Sequence, residues 1–281
     1  MAEDKQLIFE QKEKLTEKIF MCSPNYYAID YEINPWMKLG TESSNKYAFE
    51  KWTEFKNLLI NNLGVEILTM EPQPGLPDIT FTANAALIYK NRAVISRFRY
   101  KERQREETFF AEWFRKTGFI VEFLPENICF EGAGDALFSG DTLYAGYVPR
   151  SDKDAYPYIS KLLDIRVVPF ELIDSRFYHL DTCFCPLTDG YLMYYPGAFN
   201  EYDNKIIENE FPEEKRIPVT EEEAVKFSCN AVCIDKSIIM NHSTERLKDK
   251  LNEEGFETHE IDFSEFIKAG GSAKCLTLKL L

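Results

Sequence analysis

Hydrophobic positions along this chain come in short paired runs. The segments FTANAALIYKNRAVISRF, EGAGDALFSGDTLYAGY, HLDTCFCPLTDGYLMYY and SCNAVCIDKSIIM each place small or polar residues before an apolar strand, a tight turn and a second apolar strand. AKCLTLKLL at the C-terminal end is a truncated copy. The turns Lys90-Asn91, Ser139-Gly140-Asp141, Thr188-Asp189-Gly190 and Asp235-Lys236 have the composition of hairpins. With Asn84, Asp135, Asp181, Asn230 and Cys275 as equivalent points, the copies recur roughly every 45–51 residues, which marks one supersecondary unit repeated five times.

A helix and a third strand follow each hairpin. In ERQREETFFAEWFRKTG, Phe110, Trp113 and Phe114 recur at helical spacing, Gly118 reads as a C-cap, and FIVEFLP is the strand. DKDAYPYISKLLD leads to IRVVPFELI, and STERLKDKLNEEG leads to FETHEID, with Ser243 as N-cap and Gly255 as stop. The third copy is the least regular. The last copy runs out of chain at Leu281, and the N-terminal region supplies what it lacks: YYAIDYEI as a strand, NKYAFEKWTEFKNLLINNLG as a helix with Tyr47, Trp52, Phe55 and Leu59 near one face, and VEILTM as a strand. No Ser/Gly/Pro-rich linker divides the chain. The pattern predicts one α/β domain over residues 1–281, a closed five-bladed ring whose two chain ends complete one blade.

Composition narrows the partners. The 281 residues carry 33 Lys plus Arg against 47 Asp plus Glu, a formal charge of −14, so no net positive field collects nucleic acid or anionic membrane. No apolar stretch approaches the roughly 18 residues that cross a bilayer, and MAEDKQLIFEQKEK has no apolar core of a secretory signal. A cytoplasmic location is expected, and a homo-oligomer is allowed. The seven cysteines read as thiols, neither dense nor even enough for a disulfide scaffold.

Equivalent positions of a ring point at its middle, where Asn84, Glu131, Asp135, His179, Asp181, Cys229, Asn230 and Cys275 are expected to converge. A thiol needs help to react because the thiolate is the nucleophile, and His179, in FYHLDTC, is the imidazole best placed to help. The carboxylates would orient it and bind a cation. Asp135 has a second reading, as a cap of the EGAGD turn. Cys183 and Cys185 with Cys229 and Cys233 have the right atoms for zinc, but a strand lacks the knuckle turn that presents such pairs, so no metal is expected. Six cysteines read as small buried hydrophobes; Cys275, after the flexible GGSAK lead, is the exception.

Six motifs in order, FTANA, SRFRYKER, FEGAGDALF, FYHLDTCFCPL, SCNAV and GGSAKCLTL, resemble the guanidine-modifying enzymes of the pentein superfamily, and the arginine dihydrolase branch in particular. That resemblance implies Cys275 as nucleophile on a guanidinium carbon, His179 as general acid and then base, and Glu131 and Asp181 as carboxylates that hold the guanidinium and orient His179. It implies Arg103 and Arg150 as the pair for the substrate α-carboxylate, Asn34 at the amino-acid end, a small-molecule partner (arginine or a substituted arginine), and no metal or organic cofactor.

The deiminases have aspartate where Asn84 stands. An amide donor can hold the carbonyl oxygen of a neutral ureido group, which a carboxylate repels. The expected reaction therefore runs twice, from arginine to ornithine, ammonia and carbon dioxide. The alternatives are a single-step hydrolase, either arginine deiminase or dimethylarginine dimethylaminohydrolase, and a non-catalytic binding module.

Overall fold

The computed structural model of the chain describes residues 16–280; the reading of MAEDKQLIFEQKEK lies outside them. The strands are β1 (Lys18–Cys22), β2 (Glu66–Met70), β3 (Ala86–Tyr89), β4 (Arg92–Ile95), β5 (Ile120–Phe123), β6 (Ala136–Ser139), β7 (Thr142–Tyr147), β8 (Arg166–Glu171), β9 (Phe184–Pro186), β10 (Leu192–Tyr194), β11 (Arg216–Pro218), β12 (Val232–Ile234), β13 (Ser237–Met240), β14 (Glu257–Glu260) and β15 (Leu278–Lys279). They form five three-stranded sheets, β15-β1-β2, β3-β4-β5, β6-β7-β8, β9-β10-β11 and β12-β13-β14. In each, the middle strand runs antiparallel to the first and parallel to the third. This is the five-bladed α/β architecture that the repeats predict.

Local chemistry explains the repeat. Lys90, Gly140, Asp189 and Asp235 sit in the left-handed region at φ 54, 56, 61 and 51°, the conformation that tight hairpins need to match strand twist. A parallel pair cannot be joined by so short a turn, so a helix crosses over between second and third strands. Helices Asn45–Asn61, Glu106–Lys116, Ala155–Leu163, Glu201–Glu210 and Glu245–Glu253 do this in turn. Phe110 and Phe114 are wholly buried from one such helix, as are Phe55 and Leu59 from another. Tyr47 is only half-buried and donates its hydroxyl to Asp262 at 2.8 Å.

Three expectations need correction. YYAIDYEI is not a strand; the strand is the preceding KIFMC. The alternation in YYAIDYEI is real, since Tyr27, Ile29 and Ile33 are buried, but no neighbouring strand pairs with it. In KIFMC, Ile19 through Cys22 are fully buried, a run that needs sheet partners on both edges and finds them in β15 and β2. Helix ends move by one residue: Thr244, not Ser243, caps its helix by accepting from the Leu247 amide, and Thr117 rather than Gly118 is the C-cap. Gly118 follows at φ 92°.

The site is positioned by the turns that enter each first strand. One-turn helices Thr82–Asn84, Gly132–Gly134 and Leu180–Thr182 precede β3, β6 and β9, and the middle one touches the other two. No helix among the described residues is long and apolar enough to cross a membrane.

Phe20, in the strand shared by both chain ends, packs on Phe110, Trp113 and Phe114 at ring-centroid distances of 6.3, 4.0 and 5.6 Å. Phe20→Ala should therefore cost about 3–5 kcal/mol of unfolding free energy, read by urea denaturation; a loss under about 1 kcal/mol would mean that the first sheet is not integral to the core.

Candidate active site

Residues from all five sheets meet at these turns, and each is fixed by its neighbours. Asn230 does the most. Its Oδ1 accepts from the amides of Ser272 (3.0 Å) and Cys275 (3.2 Å), while its Nδ2 donates to Cys275 Sγ (3.1 Å) and to the Asp181 carbonyl (3.0 Å). Cys275 Sγ also lies 3.6 and 3.9 Å from the two oxygens of Asp181. The Cys275 carbonyl in turn accepts from Ala83 N at 3.1 Å, beside Asn84.

The imidazole belongs to a second group. His179 Nε2 is 2.8 Å from Glu131 Oε2, and the same oxygen accepts from Arg150 Nη1 at 2.8 Å. Burial opposes the charge on Glu131, yet Arg150 and His179 outweigh it and hold the carboxyl well below the usual range. An ionised Glu131 accepts the Nε2 proton, which leaves Nδ1 as the ring atom free to act. Nδ1 is buried and makes no hydrogen bond among the described residues.

Asn84 joins the two groups. Arg103 only donates, so its Nη1 at 2.9 Å fixes Oδ1 of Asn84 and turns Nδ2 away, toward the Glu131 carbonyl at 3.1 Å. Gly134 makes room: a Cβ there would stand 2.2 Å from Asn84 Nδ2. Asn84, Glu131, His179, Asp181 and Cys275 are all at most 2% exposed.

Electrostatics at the sulfur favour a proton held between two groups. Burial and the Asp181 carboxylate push the Cys275 thiol far up. Burial raises Asp181 to about 7, against the pull of Lys274 and of hydrogen bonds from Cys275 and Asn230. A cation arriving between them would favour the charged form of both.

Several sequence expectations change. Asp135 does not face the site with a free carboxylate: Oδ2 accepts from Ser151 Oγ at 2.6 Å and Oδ1 from the Leu180 amide at 3.1 Å, so it anchors the turn that carries Asp181. Arg103 and Arg150 do not form one pair. Arg103 makes a two-pronged contact with Glu106 (3.0 and 2.8 Å), and Arg150 binds Glu131 and the Ile33 carbonyl (2.7 Å), each arginine at most 3% exposed. Asn34 spends its side chain on backbone, donating to Ala269 O at 3.0 Å and accepting from Trp36 N and Met37 N. His179 and Cys275 share no hydrogen bond; Glu131 takes one and Asn230 with Asp181 the other. No group of His, Cys, Asp and Glu among the described residues has the arrangement of a metal site.

Sequence reading missed Asp78. The residue is 2% exposed, its Oδ1 makes no hydrogen bond among the described residues, and burial raises its pKa against the charge of Arg103 and the nearby Tyr31 hydroxyl. Arg150 Nε and Ser272 Oγ are likewise buried without partners. A lone acid in LPDIT had no repeat-equivalent to flag it. Asn230 had been placed at the centre, but its four hydrogen bonds were invisible in the sequence.

Residues 20–281 match the model of the eukaryotic N,N-dimethylarginine dimethylhydrolase family. A bifunctional arginine dihydrolase/ornithine cyclodeaminase, ArgZ, from Synechocystis is 51% identical over 94% of this chain, which spans 37% of that relative's length. N(G),N(G)-dimethylarginine dimethylaminohydrolase from Mycobacterium tuberculosis is 35% identical over 94% of this chain and 86% of its own. Two crystal structures of the N-terminal domain of ArgZ superpose with a TM-score of 0.92 at 50% identity, covering 94% of this chain and 98% of theirs. One is a Cys-to-Ser variant bound to substrate, the other an Asn-to-Ser variant covalently bonded to a reaction intermediate. The fold and these matches thus place the chain in the pentein superfamily. The chain belongs to the dimethylarginine dimethylhydrolase family within it.

A carboxyl raised to about 7 in the fold, from an ordinary 3.8, destabilises the folded state as pH climbs through that window, because the unfolded chain ionises first. Asp181→Asn should therefore match the parent below about pH 4 and exceed it at pH 8, by at most about 4 kcal/mol, in denaturation at the two pH values. A variant less stable than the parent at pH 8 would contradict this.

Proposed function

We propose that the chain is a single catalytic domain over residues 1–281 that hydrolyses the guanidinium group of L-arginine twice, giving ornithine, two ammonia and carbon dioxide. The observation that carries it is a buried thiol, Cys275, held by Asn230 at 3.1 Å and 3.6 Å from Asp181, with the Glu131–His179 pair and the Asn84 amide donor carried by neighbouring turns. Asp78 Oδ1, Arg150 Nε, His179 Nδ1 and Ser272 Oγ are among the buried polar atoms without a hydrogen-bond partner among the described residues, and such atoms suit an amino acid with a cationic end. Asp78 would take its ammonium and Arg150 Nε its carboxylate, while Asp181 and Glu131 hold the guanidinium.

As the guanidinium arrives, Cys275 gives its proton to His179 Nδ1, and the thiolate attacks the guanidinium carbon. His179 Nδ1 protonates the departing nitrogen, which leaves as ammonia, and a thiouronium adduct remains. His179 then takes a proton from water, the hydroxide adds to the adduct, and the thiolate is expelled to give citrulline. Asn84 Nδ2 donates to the ureido oxygen and keeps citrulline in place for a second attack. That attack releases the second ammonia, and hydrolysis of the thiocarbamate gives a carbamate that loses carbon dioxide. The substrate complex of a Cys-to-Ser variant and the covalent intermediate of an Asn-to-Ser variant of ArgZ support a nucleophilic cysteine and an asparagine in the later steps. Release of citrulline as the end product is the second reading, favoured by the match to the dimethylarginine dimethylhydrolase model.

Ammonia released per arginine consumed distinguishes them. Two equivalents with ornithine are expected, and one with citrulline would overturn the proposal. Asn84→Asp should shift the product toward citrulline; an unchanged ratio would remove Asn84 from the second step.

The pH dependence follows from Asp181, which must be ionised to hold the cation. kcat/KM for arginine should rise with pH through an apparent pKa near 7 that belongs to the Asp181–Cys275 pair. A flat profile between pH 6 and 8 would count against it.

A further inference from the structure

Behind the turns that carry the site lies a cavity of about 540 Å³ that the reaction does not use. Its walls are the first strands of all five sheets, and Lys90 and Gly140 of two hairpin turns stand at its edge. Its floor includes Ala133, Cys229 and Lys274, the residues immediately before Gly134, Asn230 and Cys275. The cavity and the site are therefore back to back, one residue apart.

Its charge is the reverse of the chain's. Three lysines and no carboxylate line it, in a protein with 47 acidic residues and a formal charge of −14. Two of the lysines are engaged: Lys279 Nζ bonds the Cys233 carbonyl at 2.9 Å and Glu17 at 3.2 Å, and Lys90 lies over the Tyr89 ring at 4.9 Å. Among the described residues Lys274 Nζ makes one hydrogen bond, a 3.5 Å contact with the Thr277 carbonyl, besides its charge interaction with Asp181. An ammonium so weakly held at the floor of an apolar chamber suits an anion whose remainder is hydrocarbon.

We infer that this cavity binds an amphipathic carboxylate of the medium-chain fatty acid class, its head on Lys274 and its alkyl chain along the first strands, and that occupancy slows the chemistry of Cys275. The coupling runs through Lys274, whose positive charge favours the ionised forms of Asp181 and Cys275. A bound carboxylate cancels that charge without touching the substrate side.

The test uses the intact protein and needs no arginine turnover, so its outcome is separate from that of the dihydrolase proposal. Titration calorimetry with hexanoate, octanoate and decanoate, each below its micelle concentration, should show affinity rising about fourfold per methylene. Decylammonium should not bind in the same range. Lys274→Met should weaken decanoate at least tenfold, and decanoate should slow alkylation of Cys275 by iodoacetamide at pH 8. Equal binding of the ammonium, or no gain with chain length, would overturn the site on the unmodified protein alone, even if Lys274→Met fails to fold. An unchanged alkylation rate at saturating decanoate would overturn the coupling.

Discussion

The nucleophile depends on how the last strand is held. β15 pairs with β1 through only Ile19↔Lys279 and Phe20↔Leu278, and Cys275 lies three residues ahead of it. Two further ties fix the sulfur: the Cys275 amide on Asn230, which enters β12, and the Cys275 carbonyl on Ala83 N, next to Asn84. One residue is thereby bound to three sheets. A reactive atom must be placed within about 0.5 Å to work, and here the shared first sheet and the amide of Asn230 do the placing.

Buried charges are organised around that sulfur rather than for stability. Arg103 with Glu106, and Arg150 with Glu131, are ion pairs taken wholly out of water, and such pairs often add little to folding because desolvation offsets the attraction. Their geometry has another use. Arg103 orients the Asn84 amide, and Arg150 keeps Glu131 ionised so that His179 presents Nδ1. Asp181, raised by burial, and Cys275, raised by burial and by the Asp181 carboxylate, store the opposite tension, which a cationic ligand would relieve. Stability is given up locally where function needs it.

Family membership leaves the reaction partly open, since the family's model is described by dimethylarginine and a close relative by arginine dihydrolysis. In the proposed reaction the distinction rests on one position. An aspartate at Asn84 would face the Glu131 carbonyl with an acceptor, whereas the amide donates there.

Period, turn chemistry and the cluster of polar residues before each hairpin were legible in the sequence because they are local: left-handed turns need Gly, Asn, Asp or a tolerant residue, and buried strands need apolar runs. The first strand was misread because the antiparallel partner of KIFMC is β15, far along the chain, so no hairpin turn announces it, while YYAIDYEI alternates as a strand does yet has no edge to join. The partners of Arg103, Arg150 and Asp135, the burial of the Asp78 carboxyl and the four hydrogen bonds of Asn230 lay beyond the sequence. A side chain's residue type states what it can bond, but which of several matching groups it meets is decided by long-range packing, and only the tertiary structure brings residues 84, 131, 179, 230 and 275 within reach of one another.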